Sequence, residues 1–164
     1  MLKWEGNTVR RAGTDSDPRR LSVPLSRVAA MDIQDINRKV IEQFRAGGEV
    51  EGMHRERLLL LTTTGARTGT PHTTPMMFHP NGDRVVVMAS NAGAPKAPDW
   101  YANLVANPSV TVEIGDESYP ATATVLRGEE RERLWAEITK AYSFFLDHEQ
   151  KARREIPVVA LTRT

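Results

Sequence analysis

Stop signals constrain this chain more than any other feature. From residue 57 on, short β-forming runs alternate with glycine, proline and asparagine stops, and few of the intervals between them are long enough for a helix. Runs at 57–64, 73–79, 84–90, 110–114, 119–126 and 156–161 are rich in aliphatic and β-branched residues. Gly65 and Gly69-Thr70-Pro71 separate the first two, while Pro80-Asn81-Gly82-Asp83 and Gly115-Asp116 carry the pattern of tight hairpins. Six short strands joined mostly by hairpins predict an antiparallel sheet curled into a small barrel, mainly β with some α. Regular strand–helix alternation is missing, which argues against a doubly wound parallel sheet.

Three or four helices flank the expected strands. Over 31–46, Ile33, Ile36, Val40, Ile41 and Phe44 recur at helical spacing before Gly47-Gly48 ends the run. This single apolar stripe has two possible fates, packing against a sheet or lying on a membrane surface. A short helix is expected around 98–106, closed by Asn107-Pro108. Another is expected over 128–142, with Leu134, Trp135, Ile138 and Tyr142 on its inner face. Residues 1–30 hold six basic and three acidic groups, a local +3, with Pro18, Pro24 and no apolar periodicity. A disordered basic tail is the expectation there, with one folded domain over 31–164 and Met31 as a candidate start. The arginine pairs of the tail lack the apolar stretch of an export signal.

Composition and motifs exclude much chemistry. Twenty-two basic against 21 acidic residues give a net +1, too balanced for a nucleic-acid binder that relies on bulk charge. The absence of cysteine removes thiolate catalysis, disulfides and cysteine-ligated metal centres. The longest aliphatic run, Leu58 to Leu61, is far too short to span a bilayer. The sequence contains no phosphate-binding P-loop, no G-x-G-x-x-G, no H-E-x-x-H and no G-x-S-x-G. On one strand, His72 and His79 would point to opposite faces roughly 23 Å apart, so no metal site is expected.

Two glycine-bearing turns retain functional promise. In Thr62-Thr63-Thr64-Gly65-Ala66-Arg67-Thr68-Gly69, two glycines let backbone amides converge, threonines add hydroxyls and Arg67 adds a fixed charge. Such a turn suits a phosphate or carboxylate; equally, it is a hairpin with an exposed arginine. In Met88-Ala89-Ser90-Asn91-Ala92-Gly93-Ala94-Pro95-Lys96, small residues allow close backbone approach, and the helix that follows offers free amides to negative charge. Trp100 and Tyr101 on that helix are either core or ligand wall. Between the turns, alternation puts Thr73, Pro75, Met77 and His79 on one face and Thr74, Met76 and Phe78 on the other, one of which must be core. Pro75 lacks an amide proton and marks an edge or bulge, where a planar ligand could lie against backbone. These features together describe an anionic ligand with a flat ring.

The succession T-T-T-G-A-R-T-G-x-P, P-M-M-F, A-S-N-A-G-A, D-W-Y-A-N-L-x-A-N-P and terminal I-P-V-V-A-L resembles the deazaflavin-dependent nitroreductase family, split-β-barrel oxidoreductases that use coenzyme F420. The likeness runs from about Asp32 to the C-terminus. It implies that Ala66, Arg67 and Thr68 hold the anionic tail of F420. It implies that His72, Thr74, Pro75 and Met77 lie beside the deazaflavin ring. Met88, Ala89, Ser90, Asn91, Asp99, Trp100, Tyr101 and Asn103 would form the remaining walls, and Tyr142 and Phe145 would stand over ring and substrate. Relatives often carry further basic residues at Ala66, His72 and Asn91, so the expectation is either a weaker grip on the tail or compensation by Lys96 or Arg57. Some nitro-reducing relatives hold tyrosine at Met77, Phe145 and His148, which counts against nitroimidazole activation; the expected acceptor is a quinone, an enone or another activated alkene, with a nitroaromatic as the further alternative.

Tyr142 is the candidate catalytic residue, positioning the acceptor or donating a proton; the alternative is a core tyrosine at a helix end. An apolar pocket of Met76, Met77, Phe78, Phe144 and Phe145 is expected for the acceptor. A non-catalytic F420 or lipid carrier and an FMN-binding split barrel are the competing readings. The expected setting is cytoplasmic, as monomer or weak homodimer, with peripheral membrane contact as the alternative.

Overall fold

A computed structural model describes residues 25–50 and 53–164, with side chains from residue 35 onward. The tail expectation for residues 1–24 lies outside the described residues. The described residues fall into two compact units, one ending at Arg55 and one running from Glu56 to Thr164. In the first, helix α1 spans Leu25–Ala46, beginning at Leu25 rather than Met31. At its C-terminal end the Phe44 oxygen accepts from the Gly47 amide at 3.1 Å and from Arg55 Nη1 at 2.8 Å, and Arg55 Nη1 also donates to the Gly48 oxygen just past the helix at 3.2 Å. The same guanidinium lies 4.4 Å from the centroid of the Phe44 ring.

The second unit is built on one antiparallel sheet of seven strands: β1 Leu58–Thr64, β2 Pro71–Met77, β3 His79–Asn81, β4 Arg84–Met88, β5 Ser109–Ile114, β6 Glu117–Val125 and β7 Val158–Arg163. Their spatial order is β2-β1-β5-β6-β7-β4-β3. The two edge strands, β2 and β3, are separated in sequence by Phe78 alone. A sheet whose opposite edges are joined by one residue has to roll until those edges meet, so the curled barrel follows from register. The count is seven rather than six because the expected strand 73–79 breaks at Phe78. Turns behave as their residues require: Gly82, between the paired Asn81 and Arg84, has φ 66°, a conformation that costs glycine nothing.

Strand alternation divides the apolar residues between two faces. On β4, Val87 joins an inner cluster with Leu59, Leu61, Phe78, Val112, Val159 and Leu161, plugged by Trp100 and Leu104 of helix α2 (Asp99–Ala106). Val86 and Met88 face outward and are covered by Leu134, Trp135 and Ile138 of α3 (Gly128–Ala141) and Phe145 of α4 (Phe144–Ala152). Each such side chain contributes about 1.5–3 kcal/mol by burial, so both layers are needed to hold the sheet curled. Helix α4 brings the helices among the described residues to four, within the three or four expected, over a range that the sequence pattern does not mark. It is nine residues long and lacks a side-chain cap, and Phe145 and Ala152 are the residues it buries.

Candidate functional site

The register around Phe78 creates a split in the barrel wall. His79 pairs with Val86, so a continuous hairpin would set Met77 against Met88 and Pro75 against Ser90. Instead Phe78 donates its amide to the Arg57 oxygen at 3.1 Å, and β2 swings away to pair with β1, Met77 against Leu58 and Pro75 against Leu60. Beyond the fork, β2 and β4 stay adjacent but unpaired. One lip is the free edge of β2, where Pro75 stands; the other is Met88 and the loop that follows. A ligand entering there meets backbone on both sides without displacing a ladder bond.

About 23 Å from the fork, at the strand rise per residue, β2 begins in the Gly65–His72 turn. Gly65 donates to the Thr70 oxygen at 2.8 Å, and Gly69 to the Gly65 oxygen at 2.9 Å. A Cβ on Gly65 would lie 2.4 Å from Thr68 Oγ1 and 2.8 Å from His72 Nε2, so a side chain there would displace both of those groups. Thr68 and Thr70 hydroxyls sit 2.8 Å apart, and His72 Nε2 lies 3.2 Å from Thr70 Oγ1. Asn103 of α2 locks the turn, accepting from the Ala66 amide at 3.0 Å and donating to Thr63 Oγ1 at 3.2 Å. Arg67 is exposed and makes no ion pair or hydrogen bond among the described residues. The result is a hydrogen-bonded turn that presents the exposed Arg67 charge, which suits an anion.

The opposite lip has unusual backbone. Asn91, Ala92 and Gly93 have φ of 49°, 54° and 84° in succession. Each non-glycine residue there costs roughly 1–2 kcal/mol, so surrounding contacts must impose the shape. Asn91 Nδ2 donates to the Lys96 oxygen at 2.9 Å, and Gly93 packs so closely on α4 that a Cβ would meet Lys151 Cδ at 3.0 Å and His148 Cα at 3.3 Å. Arg154, just past α4, reaches the lip's carbonyls.

At the fork, outward-facing residues gather around Tyr142, which is half-buried at the end of α3. The Arg57 guanidinium lies 5.6 Å from its ring centroid, and the His79 ring meets it edge-on at 6.4 Å. His79 Nε2 is 3.6 Å from a Glu137 carboxylate oxygen, while its Nδ1 is buried without a partner. Phe144, Phe145 and His148 complete the group. Burial first, then the positive charge of Lys151, holds the His148 pKa below its ordinary value, so its imidazole stays neutral at neutral pH.

The structure therefore joins Ala66, Arg67, Thr68, His72 and Asn103 at the mouth and leaves Pro75 and Met77 on one lip of the split and Met88, Ser90 and Asn91 on the other. Alternation places Thr74 on the inner face with its partner Leu61. Ala89 and Trp100 are buried in the inner cluster with Tyr101 packed against it, Asp99 is exposed on the first turn of α2, and Phe145 is buried in the outer cluster. The expected acceptor pocket is corrected: Met76 and Phe78 face inward with the inner cluster, whereas Phe144 and Phe145 lie against the outer one. Arg57 stands at the fork rather than beside Arg67, the whole length of β2 away. Sequence reasoning missed Arg154 and the His79 environment; both depend on partners many tens of residues away, which no local pattern encodes.

The sequence model of a family described as F420H(2)-dependent quinone reductase matches residues 36–163. A protein of Mycobacterium tuberculosis named F420H(2)-dependent quinone reductase is 37% identical over 108 residues, covering 64% of this chain and 72% of that protein. A solved F420-H2 dependent reductase is 39% identical with a TM-score of 0.60, covering 67% of this chain and 99% of that one. A structure described as a domain-swapped dimer is 33% identical with a TM-score of 0.61, over 85% of this chain and 99% of that one.

Proposed function

The chain belongs to the F420H(2)-dependent quinone reductase family, and we propose that the split between β2 and the loop after β4 is where it binds F420 and presents it to a quinone-type acceptor. It is an oxidoreductase of the split-barrel type, and F420 is its cofactor. Reduced F420 supplies hydride as one two-electron transfer, so the protein's work is binding, orientation and exclusion of water. The observation that carries the proposal is the fork at Phe78: two unpaired lips, with a partnerless arginine at the far end.

Arg67, with its own amide and that of Thr68, holds the anionic tail, adding affinity without touching reacting atoms. Pro75 and Met77 on one side and Met88 to Asn91 on the other clamp the ring. Tyr142 closes the fork end, where it orients the acceptor and offers a proton from its hydroxyl to the oxygen on which negative charge develops. The apolar wall of Met77, Met88 and Phe144, beside Arg57 and His79 at the fork, favours quinones, and the same wall admits enones and other activated alkenes. Among the described residues no helix is long and apolar enough to cross a membrane.

Titration of the purified chain with F420 and FMN separately tests the cofactor site, followed by oxidation of F420H2 by a soluble naphthoquinone. Arg67→Ala should weaken F420 binding by about 1–3 kcal/mol, the worth of a charge-assisted hydrogen bond. Unchanged affinity would remove the tail from this turn. Preferential FMN binding would replace the proposal with the FMN reading, and F420 binding without quinone turnover would replace it with the carrier reading.

A further inference from the structure

We propose that Arg154 is a positioning residue for the cofactor site: it grips the lip after β4 from behind and thereby aims the Ser90 and Asn91 amides into the split. Its Nη2 donates to the Ala89 oxygen at 3.2 Å, the Ser90 oxygen at 3.2 Å and the Lys96 oxygen at 3.4 Å, and its Nε to the Ala94 oxygen at 3.2 Å. A planar guanidinium with five donors can serve several carbonyls at once; an ammonium, a point donor, cannot reproduce the fork.

The direction of the amides follows from peptide geometry. Ala89 donates its N–H to the Pro157 oxygen, on the β7 side of the chain. Its carbonyl is held by Arg154, which precedes β7 on that same side. In a trans peptide the carbonyl and the next N–H point opposite ways, so the Ser90 amide faces the other edge, where β3 no longer runs and the split lies. The Ser90 carbonyl accepts from Arg154 and also from the Gly93 amide at 3.0 Å, and the two donors together turn the Asn91 amide away as well. Neither amide donates to any group among the described residues. Ser90 is right-handed, φ −78° and ψ −28°, and Asn91 has φ 49°, the sequence of conformations that makes successive amides converge on one electronegative atom. Resting on the cofactor placement proposed above, the ligand group for these amides is a ring carbonyl oxygen of F420. Arg154 touches neither cofactor nor substrate; it fixes the backbone that does.

The test compares the full chain with Arg154→Lys and Arg154→Ala. F420 affinity should fall threefold or more in the lysine variant and tenfold or more in the alanine variant, with the quinone KM changed less than twofold. Free guanidinium ion at millimolar concentration should recover part of the loss in Arg154→Ala and leave the wild type unaffected. Affinities within twofold of wild type would overturn the proposal. If Arg154→Ala does not fold, the lysine variant alone decides by the same threshold. Amide exchange of Gly93 and Ala94 gives a readout independent of F420: it should accelerate in Arg154→Lys, and unchanged exchange overturns the positioning role. A wild-type chain that fails to bind F420 would instead sink the cofactor placement, leaving the exchange measurement to judge Arg154.

Discussion

Removing the Asn103 side chain tests how the mouth of the split is held. Asn103→Ala deletes two hydrogen bonds, one from the Ala66 amide at 3.0 Å and one to Thr63 Oγ1 at 3.2 Å. The two losses differ. Ala66 lies on an exposed turn where water can replace the acceptor, so its cost is at the low end, roughly 0.5–1 kcal/mol. Thr63 is 1% exposed, and its hydroxyl loses a donor that water cannot replace, at about 1–2 kcal/mol. Alanine is the better helix former by about 0.5 kcal/mol, which offsets part of this within α2. The net expectation is a destabilisation of about 1–2.5 kcal/mol, or a melting temperature lower by roughly 2–4 °C for each kcal/mol. Urea unfolding followed by tryptophan fluorescence reads it as a lower midpoint at unchanged slope. Asn103→Asp keeps the acceptor for Ala66 and should cost less. A midpoint for Asn103→Ala equal to wild type would refute the reasoning that this side chain bridges helix and turn.

Other expectations follow from single observations. Arg131 is 5% exposed and donates to the Ile156 oxygen at 2.6 Å, so Arg131→Met should lose about 1–3 kcal/mol in urea unfolding, and an unchanged midpoint would contradict the role of that bond. Burial and Lys151 depress the His148 pKa below its ordinary 6.5. The unfolded chain therefore takes up a proton at higher pH than the folded one, so this group's contribution to stability is intact above pH 6.5 and is lost as pH falls through the depressed value. His148→Gln should flatten the acid limb of the stability–pH curve, and superimposable curves would dispose of that assignment. Tyr142→Phe should lower kcat for a quinone by tenfold or more at nearly unchanged F420 affinity, as loss of a general acid requires. Equal kcat would return Tyr142 to a packing role.

Much of this was legible in the sequence because hairpin turns demand particular residues. Gly82 and Gly115 mark turns in sequence and have φ of 66° and 57° in the structure. Pro75 signals an edge, and β2 is an edge strand. Alternation separated Met76 and Phe78 from Pro75 and Met77 correctly but could not say which set was core, because burial depends on the neighbours a strand finds. The break at Phe78 was invisible for a related reason: the run from Thr73 to His79 alternates without interruption, and only competition between β1 and β4 for its backbone splits it. Helix α4 and Arg154 escaped notice because tertiary contacts, not propensity or spacing, give them their roles.

The most direct measurement is a crystal structure of the chain bound to F420. It should show the ring between Pro75 and Met77 of β2 and the Met88–Asn91 lip, with the phosphate of the tail within hydrogen-bond reach of the Arg67 guanidinium. A ring bound on any other face of the sheet, or a tail that leaves Arg67 without an anionic partner, would contradict the account.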